Sequence, residues 1–260
     1  MTYLPVAPPA EATRWLGGDA GVSTEHATAR LFCFPHAGGG AVFFRPWRRL
    51  LAPGVDVRPV VLPGRESRVR ELPYRRVEQV LDPLCAALRP YLDRPYVLFG
   101  HSLGAVLAYE VARRLSAGPG RAPALLLVSG RRAPHLPTTR RLFCTLPDAE
   151  FLTALGGLGG TPPEVLDAPE LVRLLLPTLR CDFELNEYYR PLPGPGLDCP
   201  VAAYMGADDP EVDRPELLGW HRETTGEFTM RVFPGDHFYL KGERPDVSTA
   251  LQQDLTRALR

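Results

Sequence analysis

The sequence predicts a doubly wound α/β domain, a mostly parallel central sheet flanked by helices, with a helical insertion. Short apolar runs alternate with amphipathic ones from residue 30 onward. Several of these runs are apolar on both faces, as a buried parallel sheet requires. A single long stretch, between residues 129 and 201, lacks a strand signal and reads as helices. Alternation of this kind builds a layered α/β sheet, and a long insertion in such a domain is usually functional.

The strand runs are 31–34, 55–62, 96–99, 124–128, 201–205 and 228–233. Helices are expected over 44–51, 77–92, 105–117, 215–225 and 246–259. In the third of these, Val106, Ala108, Val111, Ala112 and Leu115 form an apolar stripe at helical spacing. Within the insertion, helices are expected over 148–155, 163–166 and 170–189, broken by the glycines of 156–160 and by Pro162 and Pro163. A lid over residues of about 135–195 is the expected role. Residues 1–29, rich in Ala, Pro, Gly and Thr without periodicity, read as an extended N-terminal arm, leaving 30–260 as the folded domain.

Composition narrows the function. A chain of 260 residues with 45% hydrophobic content can bury a large core unaided. Its 30 basic and 30 acidic residues balance, which argues against nucleic-acid or general membrane-surface binding. Lys241 is the only lysine, so the other 29 basic residues are arginine. The five cysteines are scattered and form no C-x-x-C pair, so neither a disulfide framework nor a zinc site is expected. The scattered cysteines point to a reducing cytoplasm, the N-terminus has no signal-like pattern and no run is long and apolar enough to span a membrane; a cytoplasmic protein is expected, and a monomer.

The strongest chemical signal is Gly100-His101-Ser102-Leu103-Gly104, a G-x-S-x-G between a strand and a helix. That setting is the nucleophile elbow of the α/β-hydrolase fold, where small residues flank a serine held in strained backbone. A serine hydroxyl needs a base. His237, in the loop after the last strand run, is in the place this fold assigns to it, and the order serine, acid, histidine fits. The acid follows an earlier strand at Asp208-Asp209; Asp209 is preferred, with Asp208 as the alternative. An oxyanion hole needs two backbone N–H groups. Leu103 supplies one; the second comes from Phe34-Pro35-His36-Ala37-Gly38-Gly39-Gly40, with Ala37 preferred and His36 or Gly39 as alternatives. His36 and His101 are expected in packing or backbone roles.

The runs LFCFPHAGGG, PGRESR, PYVLFGHSLGA, GADDP and FPGDHFYL, in this order and spacing, resemble the bacterial type II thioesterases of polyketide and nonribosomal peptide synthesis. The resemblance covers residue 30 to the end. It implies hydrolysis of stalled or misprimed acyl groups from the phosphopantetheine arm of acyl or peptidyl carrier domains. It also implies a mobile helical lid, Asp209 as the acid and Ala37 as an oxyanion donor. No metal or cofactor is implied, since phosphopantetheine belongs to the substrate. Two positions depart from the pattern: Leu103 replaces a common Met, and Asp236 replaces a Gly beside His237. A carboxylesterase, an acyltransferase and a non-catalytic docking scaffold are the competing readings. Arg131, Arg132, Arg140 and Arg141 cluster where the insertion begins and are expected to dock an acidic carrier domain, or to be a solvated loop.

Overall fold

The computed structural model describes residues 10–17, 26–118, 120–242 and 244–260. Six strands, β1 (Ala29–Phe34), β2 (Val55–Pro59), β3 (Tyr96–His101), β4 (Leu125–Ser129), β5 (Val201–Gly206) and β6 (Phe228–Phe233), form one sheet of order β2-β1-β3-β4-β5-β6. Every pair in it is parallel. All six expected strands are present; β6 has the expected bounds, and the ends of the others differ by at most three residues.

The helices are α1 (Ala10–Arg14), α2 (Arg45–Leu51), α3 (Val77–Leu88), α4 (Leu103–Ser116), α5 (Asp148–Leu158), α6 (Pro163–Leu166), α7 (Pro169–Glu187), α8 (Arg214–Leu218) and α9 (Pro245–Ala258). Successive strand side chains point to opposite faces, and the sequence fills both faces with apolar residues. In β1, Phe32 and Phe34 join Leu98, Val128 and Met205 in the layer under α3 and α4. Leu31 and Cys33 join Val97, Phe99 and Leu127 on the other face, under Trp47 of α2 and Leu251 of α9. Burying an apolar side chain of this size contributes about 1.5–3 kcal/mol, so the two layers dominate the stability. No helix among the described residues is long and apolar enough to cross a membrane.

Two expectations need correction. The N-terminal segment is not an extended arm where it is described: α1 forms, and Trp15 and Leu16 are buried. The Trp15 carbonyl accepts from Val61 N at 2.8 Å, the Gly17 N–H is donated to Pro59 O at 2.7 Å, and the Arg68 guanidinium lies over the Trp15 ring. Two apolar side chains in a polar-looking stretch are enough to dock it. Residues 1–9 and 18–25 of the expected arm lie outside the described residues.

The arginine cluster is the second correction. Arg131 is buried and donates to the Asn186 side chain at 2.8 Å. Arg140 forks onto both Glu216 oxygens at 2.8 Å. Arg132 donates weakly to the Leu136 carbonyl, and only Arg141 stays well exposed, paired with Glu150. Two of the four therefore join the insertion to the body of the domain.

Candidate active site

The strand order reverses beside β1, whose neighbours are β2 and β3. In open α/β sheets that is where the carboxyl ends of the strands leave a crevice. Here the loop after β1 and the turn after β3 meet. Ser102 sits in that turn with φ 54° and ψ −114°, one of two non-glycine residues with positive φ among those described. Its N–H is donated to Ser129 O at 2.8 Å, which holds the turn against β4. Gly104 has to be glycine, because a Cβ there would collide with the Phe34 carbonyl. The close approach brings the loop after β1 to the N-terminus of α4, a 14-residue helix. Helix N-termini favour negative charge.

His237 is buried, and its Nδ1 lies 2.9 Å from both Asp209 carboxylate oxygens. The Asp209 side chain is inaccessible to solvent, and its Oδ1 also accepts from Glu211 N at 2.8 Å. Asp208 is exposed and meets the histidine loop only through its backbone N–H, donated to Gly235 O. An imidazole that donates from Nδ1 to a carboxylate keeps Nε2 as its acceptor. Ser102 and His237 line the same cavity, with no hydrogen bond between their side chains among the described residues.

In the loop after β1, the Gly39 N–H is donated to His36 O at 2.9 Å and the Gly38 N–H to Asp182 Oδ2 at 2.7 Å. Neither the Ala37 nor the Leu103 N–H has a protein acceptor among the described residues. Of the three donors considered in that loop, Gly39 is thus already engaged.

Two further histidines surround His237. His36 packs edge-on against Phe43 and Phe238, and burial with the nearby His237, Lys241 and Arg65 lowers its pKa to about 3. His101 is fully buried, 4.9 Å from the His237 ring centre, with Nδ1 3.0 Å from Ser129 Oγ. Burial, then the charge of His237, pushes its pKa well down. Both therefore stay neutral beside His237. The Asp236 carboxylate is exposed, and its Oδ1 accepts from Phe238 N at 2.8 Å, so it serves a local turn.

The cavity has a volume of about 500 Å³. Its polar end carries His36, Ala37, Ser102 and His237; its apolar wall comes from the insertion, with Leu155, Leu158, Val165, Leu174, Leu175 and Leu179. Sequence reasoning missed Arg65 and Asp182, which form a buried bidentate pair beside the site with N–O distances of 2.8 and 2.7 Å. PGRESR drew notice as a motif, but nothing in it names a partner 117 residues away.

Comparison with known proteins adds to this geometry. Residues 29–255 match the family model described as "Thioesterase domain". The chain belongs to the thioesterase domain family. This thioesterase is 37% identical over 82% of its length to the gramicidin S biosynthesis protein GrsT of Aneurinibacillus migulanus, covering 84% of that protein. It is 39% identical to the thioesterase PikA5 of Streptomyces venezuelae, over 88% of this chain and 82% of that one. Among solved structures, the type II thioesterase BorB from the borrelidin biosynthetic cluster superposes with a TM-score of 0.84 at 38% identity, over 95% of this chain and 98% of that one. The fold is that of the α/β-hydrolase thioesterases, and the protein is a hydrolase of thioester bonds.

Proposed function

We propose that this thioesterase is an editing enzyme of type II. It removes aberrant or stalled acyl groups from the phosphopantetheine arm of acyl or peptidyl carrier domains in polyketide or nonribosomal peptide synthesis. The observation that carries the reading is one cavity in which an elbow serine and a carboxylate-bound imidazole face a wall of leucines. The sequence and structural relatives named above, among them a gramicidin S biosynthesis protein and a borrelidin-cluster thioesterase, support the biosynthetic setting.

In this reading Ser102 Oγ attacks the thioester carbonyl carbon while His237 Nε2 takes its proton. The Ala37 and Leu103 N–H groups hold the oxyanion. Collapse breaks the C–S bond, and His237 returns the proton to the departing thiolate. Water, deprotonated by His237, then attacks the acyl-serine ester and releases the acid. Asp209 keeps Nδ1 protonated and stabilises the imidazolium in both half-reactions. No step calls for a metal or a cofactor of the enzyme's own.

We assign the lid role to the insertion, residues of about 135–195, whose α5, α6 and first half of α7 line the cavity. Mass spectrometry of carrier domains loaded with a panel of acyl groups tests the function. Loss of acyl mass with return of free phosphopantetheine thiol is expected. Turnover of small oxygen esters with acyl-carrier substrates left intact would instead support the carboxylesterase reading. Transfer of the acyl group to an added alcohol would support the acyltransferase.

A further inference from the structure

We propose that Asp182, clamped by Arg65, is a positioning residue for the oxyanion hole, so that one half of α7 shapes the site chemically while the other half covers it. The inference rests on the reading of Ala37 as an oxyanion donor and goes beyond it to what holds that donor in place.

Residues 36–39 form a β-turn closed by Gly39 N–H to His36 O. Gly38 is its third residue, with φ +74°, as a type II turn requires. The central amide of such a turn normally points to solvent. Here it is donated to Asp182 Oδ2 at 2.7 Å. Arg65 holds both carboxylate oxygens and also donates to the Gly39 carbonyl at 3.1 Å. The turn is therefore gripped on both sides by one ion pair. Leu179, one helical turn before Phe183, covers Gly38 so closely that a Cβ there would strike it. Thr178 Oγ1 donates to Gly64 O at 3.0 Å, tying the same helix face to the loop that carries Arg65. With the Gly38 and Gly39 amides engaged, Ala37 keeps an uncommitted N–H in a turn that cannot easily rotate.

The charge balance fits this role. A lone carboxylate next to a developing oxyanion would oppose catalysis; the arginine fork neutralises it. The pair is buried, with Asp182 2% exposed and Arg65 8% exposed. Breaking one partner would leave an uncompensated charge, whereas replacing both with apolar groups is often tolerated. The double variant Asp182→Leu/Arg65→Met is thus the informative one.

The readout is a ratio of inhibition constants. An acyl trifluoromethyl ketone accepts Ser102 Oγ at its carbonyl carbon, giving a hemiketal oxyanion while His237 keeps the proton. The matching acyl-chain thioether has no carbonyl and reports binding alone. The ketone's advantage over the thioether should fall by about 10- to 100-fold in the double variant, as for loss of part of an oxyanion hole. Thioether affinity should hold. Asp182→Asn/Arg65→Met, which restores a neutral acceptor for the Gly38 amide, should recover most of the advantage. An unchanged ratio in the first variant, or an equal loss in both, overturns the proposal. If the first variant does not melt cooperatively, the smaller Asp182→Ala/Arg65→Met takes its place, and an unchanged ratio there overturns it equally. Should the unmodified enzyme form no Ser102 hemiketal, the hydrolase assignment of the site fails instead.

Discussion

The two halves of α7, before and after Pro177, differ in burial and in partners. Before Pro177, Leu171 is 43% exposed and Leu174 61% exposed, and the half's own ion pair is a loose Glu170–Arg173 contact at 3.9 Å. After it, Leu179, Asp182 and Phe183 are buried, and Glu187 accepts the Phe143 and Cys144 N–H groups at 2.8 Å. Tyr189, just past the helix, reaches the buried Glu110 at 2.5 Å. Pro177 has no N–H to give the Arg173 carbonyl, so the boundary is also where the helix is weakest. Covering a substrate and holding a catalytic loop make opposite demands on rigidity. In the roles proposed above, the chain meets both with one helix and a proline between the parts.

The sharpest tests ask whether chemistry stays on the sheet side of that boundary. Ser102→Ala should lower kcat by about 10⁶-fold with the melting temperature unchanged. A fluorophosphonate probe should label Ser102 alone, and labelling elsewhere would move the nucleophile. Next in size, Asp209→Asn should cost about 10⁴-fold in kcat, because the amide favours the wrong imidazole tautomer. Asp208→Asn should cost little; the reverse order would transfer the acid to Asp208.

On the lid side the effect should be smaller and of another kind. Leu174→Ser with Leu175→Ser should raise KM for long-chain acyl thioesters by about tenfold and leave acetyl thioester turnover alone. A fall in kcat for both substrates would mean that the covering half also touches the chemistry.

The smallest effect is on stability. His36 and His101 are held neutral in the fold, so below pH 6.5 the unfolded chain binds protons that the native one refuses. Stability is therefore complete above about pH 6.5 and declines as the solution is acidified, by about 1.4 kcal/mol per pH unit for each histidine. For His36 the decline ends near its folded pKa of about 3. Urea unfolding of His36→Asn between pH 6.5 and 4 should show the slope reduced by one histidine's share. Equal slopes would mean that His36 is protonated in the fold.

How far the sequence could be read follows the same division. Ser102 was legible because the elbow constrains its neighbours as well as itself: Gly104 has no alternative against the Phe34 carbonyl. The sheet was legible because burial on both faces leaves continuous apolar runs. Asp182 was not, since a carboxylate in an amphipathic helix looks like any solvated one until the fold brings Arg65 to it. Arg131 and Arg140 misled for the mirror reason, because a run of charges conceals partners as distant as Asn186 and Glu216. The segment 10–17 failed on composition, where Trp15 and Leu16 outweigh six less apolar neighbours.

One contact gives the lid a natural reporter. The lone lysine, Lys241, donates from Nζ to the Gly159 carbonyl at 2.7 Å, bridging the loop after His237 to the end of α5. A chain with a single side-chain amine can be labelled there without mutagenesis. Reductive ¹³C-dimethylation would place one pair of side-chain methyl signals at the seam between the two walls of the cavity. Their shift and linewidth would follow the opening of that seam in solution as acyl ligands are added.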